Sequence, residues 1–325
     1  MPRSGVAAQW SRMLLTGGKR WGILTLLCLV ATGLLYNSKW NLYLLWPRGF
    51  HDCNCRKCLT EGEHEFKALM DASPKPFLTK QNPTSEDDFD WWKKIQRETR
   101  PFSFFNETVD KLFTILPPNP GVEQQSPYRC RSCAVVGNSG NLKGSHYGPL
   151  IDHHHIVIRM NYGRTKGYES DVGTKTTYHI MYPESAIFLD NNTRLIFFPF
   201  KIKDLLWLLK NFAPQENGQK NPKRRANKDL VMILNPAFMK YVHTMWLEKK
   251  GRYPSTGFMA LLLSLQICDE VNVFGFGADG DGNWNHYFEI LKNKKLKTGP
   301  HAGTHEYDVI QKLYEKEIIN FFKGQ

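Results

Sequence analysis

Hydrophobic positions fall into three regimes along the chain. The first is a continuous run, Trp21 to Ser38 (WGILTLLCLVATGLLYNS), without a charged residue. As a helix it would be roughly 27 Å long, about the thickness of a thin early-secretory bilayer. Lys19 and Arg20 stand just before it, with Arg3 and Arg12 upstream. The positive-inside rule then predicts a cytoplasmic tail over 1–20, a transmembrane signal anchor over 21–38 and a lumenal remainder. A cleaved signal peptide competes, but its apolar core would be about 7–15 residues and end at a small-x-small site. Tyr36-Asn37-Ser38-Lys39-Trp40 is a poor match to such a site. WNLYLLW, after Lys39, extends the span or lies at the interface.

The second regime is irregular. Residues 50–128 contain Pro74, Pro76, Pro83, Pro101, Pro117, Pro118 and Pro120, with acidic and aromatic patches between them. They read as a stem, assigned to 39–75, grading into a partly helical lead-in. SEDDFDWWKKIQRE puts acids first and lysines later, which suits the helix dipole and predicts a helix start.

The third regime begins at Cys130, where short apolar runs alternate with amphipathic segments. Cys133–Val136, Ile156–Met160, Thr176–Tyr182, Arg194–Phe200, Asp229–Leu234 and Val271–Phe276 read as strands. Helices are predicted near Ile202–Phe212, from Pro236 onward (PAFMKYVHTMWLEKK), and from Ser255/Thr256 to Gln266. Near-continuous apolar strands between helices imply an α/β fold, a mostly parallel sheet covered on both faces, in a single domain over 76–325. Ligands of such sheets bind beyond the carboxyl ends of the strands.

Composition narrows the class. A chain of 325 residues that is 41% hydrophobic is too long and too apolar for a disordered or fibrous protein. The net charge of +12 would suit a nucleic-acid binder, but residues 1–51 hold six Lys/Arg and no Asp or Glu, half of the excess. Charge therefore gives little reason to expect nucleic acid as a partner. Seven cysteines are too few for a disulfide miniprotein. Cys28 lies in the span, leaving Cys53, Cys55, Cys58, Cys130, Cys133 and Cys268. Two C-x-x-C pairs are open to zinc, yet they are far apart and lack histidine spacing. An even count in an oxidising lumen favours three disulfides. Sequons at Asn106 and Asn191 agree with that compartment.

Candidate chemistry sits after strands. Gly137-Asn138-Ser139-Gly140-Asn141 follows the first; glycines allow close approach of a ligand and the amides offer neutral hydrogen bonds. It is not a dinucleotide fingerprint, and an ordinary strand-to-helix turn reads equally well. Asn161 follows the second strand. Tyr253-Pro254-Ser255-Thr256-Gly257 opens an apolar helix whose free N–H groups can hold an anion, or it is a simple cap. Gly275-Phe276-Gly277-Ala278-Asp279 leads to Trp284-Asn285-His286-Tyr287, and His301 precedes Glu306 by five positions. Imidazole is the usual general base near neutral pH. His153-His154-His155 reads as a solvated turn, Lys223-Arg224-Arg225 as an exposed loop or a basic docking patch. Asp279-Gly280-Asp281 and Asp88-Phe89-Asp90 both fit a short D-x-D pattern used by metal-dependent glycosyltransferases.

Together these stretches resemble a known family. CAVVGNSGNLKGSHYGPLIDHHHIVIRMNYG with DVGTKTTYHIMYPES is similar to the large sialyl motif of animal sialyltransferases. RYPSTGFMALLLSLQICDEVNVFGFGADGDGNWNHYFE resembles the small motif followed by the third, and His301 to Glu306 the very small motif. Within the family the resemblance is greatest to beta-galactoside alpha-2,3-sialyltransferases acting on Gal-beta-1,3-GalNAc. It implies a modified Rossmann-like, GT-A-like variant fold in a Golgi type II membrane protein. It implies inverting transfer of sialic acid from CMP-sialic acid to a galactose 3-hydroxyl of a glycoprotein or glycolipid, with no metal and no further cofactor. His301 matches the general base and His286 the histidine at the departing phosphate. Asn138 and Asn161 match donor contacts; Ser255, Thr256, Gly257 and Gly277 match nucleotide contacts; Gln96 and Tyr253 match acceptor-side positions. The implied disulfides are Cys53–Cys58, Cys55–Cys130 and Cys133–Cys268. One departure stands out: the segment between the PFK strand end and the PAF helix lacks the family's donor-contacting tyrosine. A metal-dependent transferase using another nucleotide sugar, and a non-catalytic glycan-binding protein of the same fold, are the competing readings.

Overall fold

The computed structural model describes Leu29 and residues 53–55, 58–59, 63–118, 121, 126, 128–213, 225–290 and 299–325. Contacts divide the chain into units of 1–51 and 52–325, and the sheet and its helices belong to the second. The expected tail and span lie outside the described residues, apart from Leu29. Among the described residues no helix is long and apolar enough to cross a membrane.

Seven strands form one sheet: β1 (Ser132–Val136), β2 (Ile156–Met160), β3 (Tyr178–Met181), β4 (Arg194–Phe197), β5 (Val231–Ile233), β6 (Glu270–Phe274) and β7 (Asn320–Phe322). Their order is β5-β4-β3-β2-β1-β6-β7, and every ladder is parallel. Burial is continuous along β3 and β5 and nearly so along β1, β2, β4 and β6, as a sheet covered on both faces requires. The chain winds outward from β1 to β5 and then returns to place β6 on the other side of β1. The carboxyl ends of β1 and β6 therefore flank a topological switch point, where α/β sheets open a crevice.

Among the described residues nine α-helices accompany the sheet: α1 (His64–Asp71), α2 (Glu86–Ile95), α3 (Phe102–Ile115), α4 (Gly148–His153), α5 (Glu169–Val172), α6 (Ile202–Phe212), α7 (Pro236–Tyr241), α8 (Thr256–Ile267) and α9 (Gly303–Glu315). α8 is buried on nearly all sides and packs on β1, β2 and β6, which explains its lack of a polar face. The predicted long helix after Pro236 is broken: α7 gives way to a π-helical turn over Val242–Trp246. In α2, Ser85 caps the first turn by accepting from the Asp88 N–H, in keeping with the acid-first pattern, and Phe89, Trp92 and Ile95 enter the core. The core is rich in aromatics here, with Phe89 packed near Trp92, Phe102 and Phe105.

The described residues between Cys53 and β1 pack on this folded body. Phe66 of α1 is buried against the Trp246 ring, and the Leu59 N–H donates to the Asp269 carbonyl. Three disulfides join Cys53 to Cys58, Cys55 to Cys130 and Cys133 to Cys268. The oxidised pairs displace the zinc alternative. Among the described residues the single close group of metal-ligating side chains, Cys55, Cys130 and Glu270, includes two of these disulfide sulfurs. Cys133–Cys268 spans 135 positions and ties β1 to the connection between α8 and β6. In the chain-entropy account a loop of that length contributes about 4–5 kcal/mol.

Two other expectations are corrected. His154 is not solvated: it is 6% exposed, its ring nitrogen Nδ1 meets the Leu150 carbonyl at 2.8 Å, and it packs edge-on against Phe274. Only its neighbours His153 and His155 face solvent, because α4 ends between them and β2. Arg225 is not a free loop charge. It donates to the Ala186 carbonyl at 3.1 Å and lies over the Phe188 ring, while Lys223 and Arg224 lie outside the described residues. Asn106 is exposed on α3, and Asn191 is exposed in the turn before β4.

Candidate active site

A cavity of about 300 Å³ opens at the switch point. Its lining includes Gly137, Asn138 and Ser139 after β1, Met160 and Asn161 at the end of β2, Tyr182 after β3, and Gly275, Phe276 and Gly277 after β6. Ser255, Thr256 and Gly257 contribute the start of α8. Trp284, Asn285, His286, His301, Gly303, Glu306, Tyr307 and Ile310 complete it. No lysine or arginine is among these lining residues.

Close packing of two strand ends shapes the floor. A Cβ on Gly137 would lie 2.2 Å from the Gly275 carbonyl oxygen, so only glycine lets β1 and β6 approach this closely. Gly277 has φ +92, and a Cβ there would strike the Tyr307 ring. The Ser139 hydroxyl donates to the Gly277 carbonyl at 2.8 Å, and the Asn141 amide donates to the Phe276 carbonyl at 2.8 Å. The two glycine loops are thereby fastened to one another.

The asparagines are held from behind. The Asn138 amide nitrogen donates to the Met160 carbonyl at 3.1 Å, which links the β1 and β2 ends. Asn161 stands at φ +55, a left-handed conformation that asparagine tolerates better than most residues.

One wall is the junction of α8 and α9. Ser255 is the N-cap of α8, accepting from the Phe258 N–H at 3.1 Å. Glu306 of α9 reaches across: its carboxylate accepts from the Ser255 N–H at 2.7 Å and from the Ser255 hydroxyl at 2.5 Å. Glu306 is 6% exposed. Burial pushes its carboxyl up, against the pull of the Ser255 hydrogen bonds and of His301. His301 sits just before α9. Its Nδ1 is 3.0 Å from the Tyr253 carbonyl, and its ring meets the Tyr253 ring edge-on at 4.9 Å. A carbonyl can only accept, so the hydrogen of this contact is on Nδ1 of His301.

The opposite wall is the irregular segment after β6. Ser139 and His286 form an antiparallel bridge, and the Tyr287 N–H donates to the Asn138 carbonyl at 3.0 Å. His286 is 48% exposed, with Nδ1 2.9 Å from a Glu289 oxygen and its ring stacked on Phe288. Asp279, in the D-x-D pattern, turns its carboxylate onto the N–H groups of Asp281 and Asn283 at 3.1 and 2.8 Å. In the other copy, Asp88 accepts from Ser85 and pairs with Lys240 at 2.9 Å.

Of the residues singled out by sequence, the cavity gathers Asn138, Asn161, Ser255, Thr256, Gly257, Gly277, His286 and His301. Gln96 and Tyr253 are not in the lining; they are joined by a 3.1 Å hydrogen bond from the Gln96 amide to the Tyr253 hydroxyl, and Tyr253 touches His301. Sequence reasoning passes over Tyr182 and Tyr307. Tyr182 follows β3 as Asn161 follows β2, and that position is the available signal. Tyr307 lies with Gly303, Glu306 and Ile310 on one helical face.

The fold and site together define a class: an α/β protein whose switch-point crevice, lined by neutral amides, a helix start and two imidazoles, suits acid–base transfer on a polar ligand. The comparisons specify it. A sequence model of glycosyltransferase family 29 (sialyltransferase) matches residues 77–318, and the chain belongs to that family. It is 43% identical over 286 residues to CMP-N-acetylneuraminate-beta-galactosamide-alpha-2,3-sialyltransferase 1 of Gallus gallus, covering 84% of this chain and 82% of that protein. The enzyme of the same name from Homo sapiens is also 43% identical, with 84% and 83% covered. A mammalian sialyltransferase crystal structure superposes with a TM-score of 0.73 at 41% identity, over 85% of this chain and all of that one. A second, in complex with Gal-beta-1-3GalNAc-ortho-nitrophenol, gives 0.72 at 40% identity, over 84% of this chain and all of that one.

Proposed function

We propose that this protein transfers sialic acid from CMP-sialic acid to the 3-hydroxyl of a terminal galactose, with inversion, in acceptors ending in Gal-beta-1,3-GalNAc. The observation that carries the reading is the placement of His301 and His286 in one cavity at the β1/β6 switch point. His301 takes the proton of the galactose hydroxyl on Nε2, because Nδ1 is committed to Tyr253. The oxygen bonds to the anomeric carbon as the bond from that carbon to phosphate breaks, and the electron pair leaves with CMP. His286 hydrogen-bonds the departing phosphate, with Glu289 supporting the proton on its Nδ1.

The amides of Asn138 and Asn161, and the start of α8 at Ser255, Thr256 and Gly257, hold the nucleotide, with Gly277 allowing its close approach. An N-terminal helix end attracts an anion without a lysine or arginine. Gln96 and Tyr253 serve the acceptor side. A nucleotide is already a good leaving group and a tertiary anomeric carbon tolerates positive charge. Base and phosphate partner then suffice, and we assign no metal and no other cofactor. The missing tyrosine of the segment after β4 has no assigned counterpart; residues 214–224 lie outside those described.

The same reading puts the protein in the Golgi membrane, single-pass and type II. Residues 21–38 cross the bilayer, 39–75 are the stem, and the catalytic domain over 76–325 is lumenal with glycans at Asn106 and Asn191. Its partners are the donor, a glycoprotein or glycolipid acceptor and the lipid bilayer, with no nucleic acid.

The test is transfer by the purified full-length protein from CMP-sialic acid to Gal-beta-1,3-GalNAc in the presence of EDTA, with linkage analysis of the product. An alpha-2,3 product is expected. Loss of activity in EDTA would favour the metal-dependent alternative, and no transfer at all the glycan-binding one.

A further inference from the structure

Asn161 is restrained at every polar atom except one. Its N–H donates to the Ile180 carbonyl at 2.8 Å. Its own carbonyl meets His179 Nε2 at 2.7 Å. Its side-chain oxygen accepts from the Ser185 hydroxyl at 3.0 Å. The amide nitrogen Nδ2 remains, on a residue that lines the cavity. Both restraining side chains stand behind the lining and are almost fully buried, Ser185 at 3% exposure and His179 at 2%.

The same hydroxyl serves a second lining residue. Ser185 ends the tight turn Pro183–Ser185 after β3; its oxygen accepts from the Tyr182 N–H at 3.4 Å, and its one hydrogen points to Asn161 at 3.0 Å with the Tyr182 carbonyl, at 3.3 Å, as the longer second acceptor. One small side chain thus joins the end of β2, at Asn161, to the end of β3, at Tyr182. His179 is suited to its part because it stays neutral: burial, assisted by the charge of Arg159, lowers it to about 4. A neutral ring that donates from Nε2 needs no counter-ion in the sheet interior. Restraint matters because a carboxamide can present either a donor or an acceptor to a ligand. With the oxygen turned toward Ser185, the amide N–H groups are the face turned to the cavity.

We propose that Ser185 and His179 are positioning residues that fix the Asn161 carboxamide with its N–H groups toward the donor nucleotide, so that the cavity selects a ligand oxygen at that place. The proposal rests on the reading of the cavity as the CMP-sialic acid site. It assigns the orientation to two buried residues outside the cavity lining.

The test uses calorimetric titration of the full-length protein with CMP, together with donor KM and kcat. Ser185→Ala is expected to weaken CMP binding roughly fivefold and to raise the donor KM similarly, with kcat within about twofold. Asn161→Asp keeps the shape and tolerates the positive φ but turns an anionic oxygen on the nucleotide. It is expected to weaken CMP binding by about 100-fold or more. Adding Ser185→Ala to Asn161→Asp is expected to cost nothing further, since the oriented donor is already gone. His179→Gln, which keeps a donor at the Nε2 position, is expected to retain binding that His179→Leu loses. Unchanged CMP binding in Ser185→Ala, or independent multiplication of the Ser185 and Asn161 effects, would overturn the proposal. If the unaltered protein bound no CMP, the functional reading itself would fail, which is a different outcome. Matched melting temperatures for Ser185→Ala and the unaltered protein separate positioning from folding; should Ser185→Ala not fold, the two His179 variants carry the test alone.

Discussion

The two walls of the cavity hold their histidines in different ways. His301 stands at the junction of two helices. Its ring nitrogen is fixed by the Tyr253 carbonyl, its face by the Tyr253 ring, and the nearby start of α8 by Glu306. His286 lies in an irregular segment, half-exposed, with a carboxylate on Nδ1 and a phenyl ring beneath it. A group that abstracts a proton must have its lone pair set before substrate arrives. A group that meets a departing phosphate needs a proton and freedom to follow the motion. The rigid wall thus suits the base, and the looser one the leaving-group partner.

The contrast can be broken by unequal losses. His301→Ala is expected to lower kcat by about 1000-fold or more while CMP affinity stays within a few-fold, because the proposed recipient of the acceptor proton is removed. Near-normal turnover would remove His301 from the chemistry. His286→Ala is expected to cost about 100-fold in kcat, less than the base, since the start of α8 is proposed to share in holding the phosphate. A greater loss at His286 than at His301 would reverse the assignment. Glu306→Gln keeps the size of the link to Ser255 but removes its charge. A drop of about tenfold in kcat is expected, measured with the melting temperature to separate wall rigidity from global stability. An unchanged kcat would show that this wall does not depend on the Glu306 charge.

Much of this architecture is legible in the chain. The inner strands announce themselves because a parallel strand buried on both faces has no polar alternation to blur it. The ligand-facing loops follow from that, since Gly137, Asn161 and Gly275 stand at strand ends. The helix at Ser255 is marked by its cap. Other elements are not legible for physical reasons. β7 is three residues long and is defined by its pairing with β6, not by its own pattern. His154 looks like one of three solvated histidines, and only the fold shows that α4 turns it inward onto Phe274. The long pattern after Pro236 is helical throughout, yet the π turn at Val242 depends on packing against α1 and α2, with Trp246 on Phe66 and Trp91 on His243. The restraint on Asn161 needs residues from two neighbouring strand ends, whose meeting no local motif encodes.

The most direct measurement concerns the hydrogen on His301. Nitrogen NMR of histidine-labelled protein with CMP bound reports which ring nitrogens carry hydrogen in each imidazole. The proposed mechanism predicts the Nδ1–H tautomer for His301, with Nε2 accepting. A hydrogen on Nε2 of His301 would leave no lone pair for the acceptor hydroxyl and would contradict the proposed chemistry.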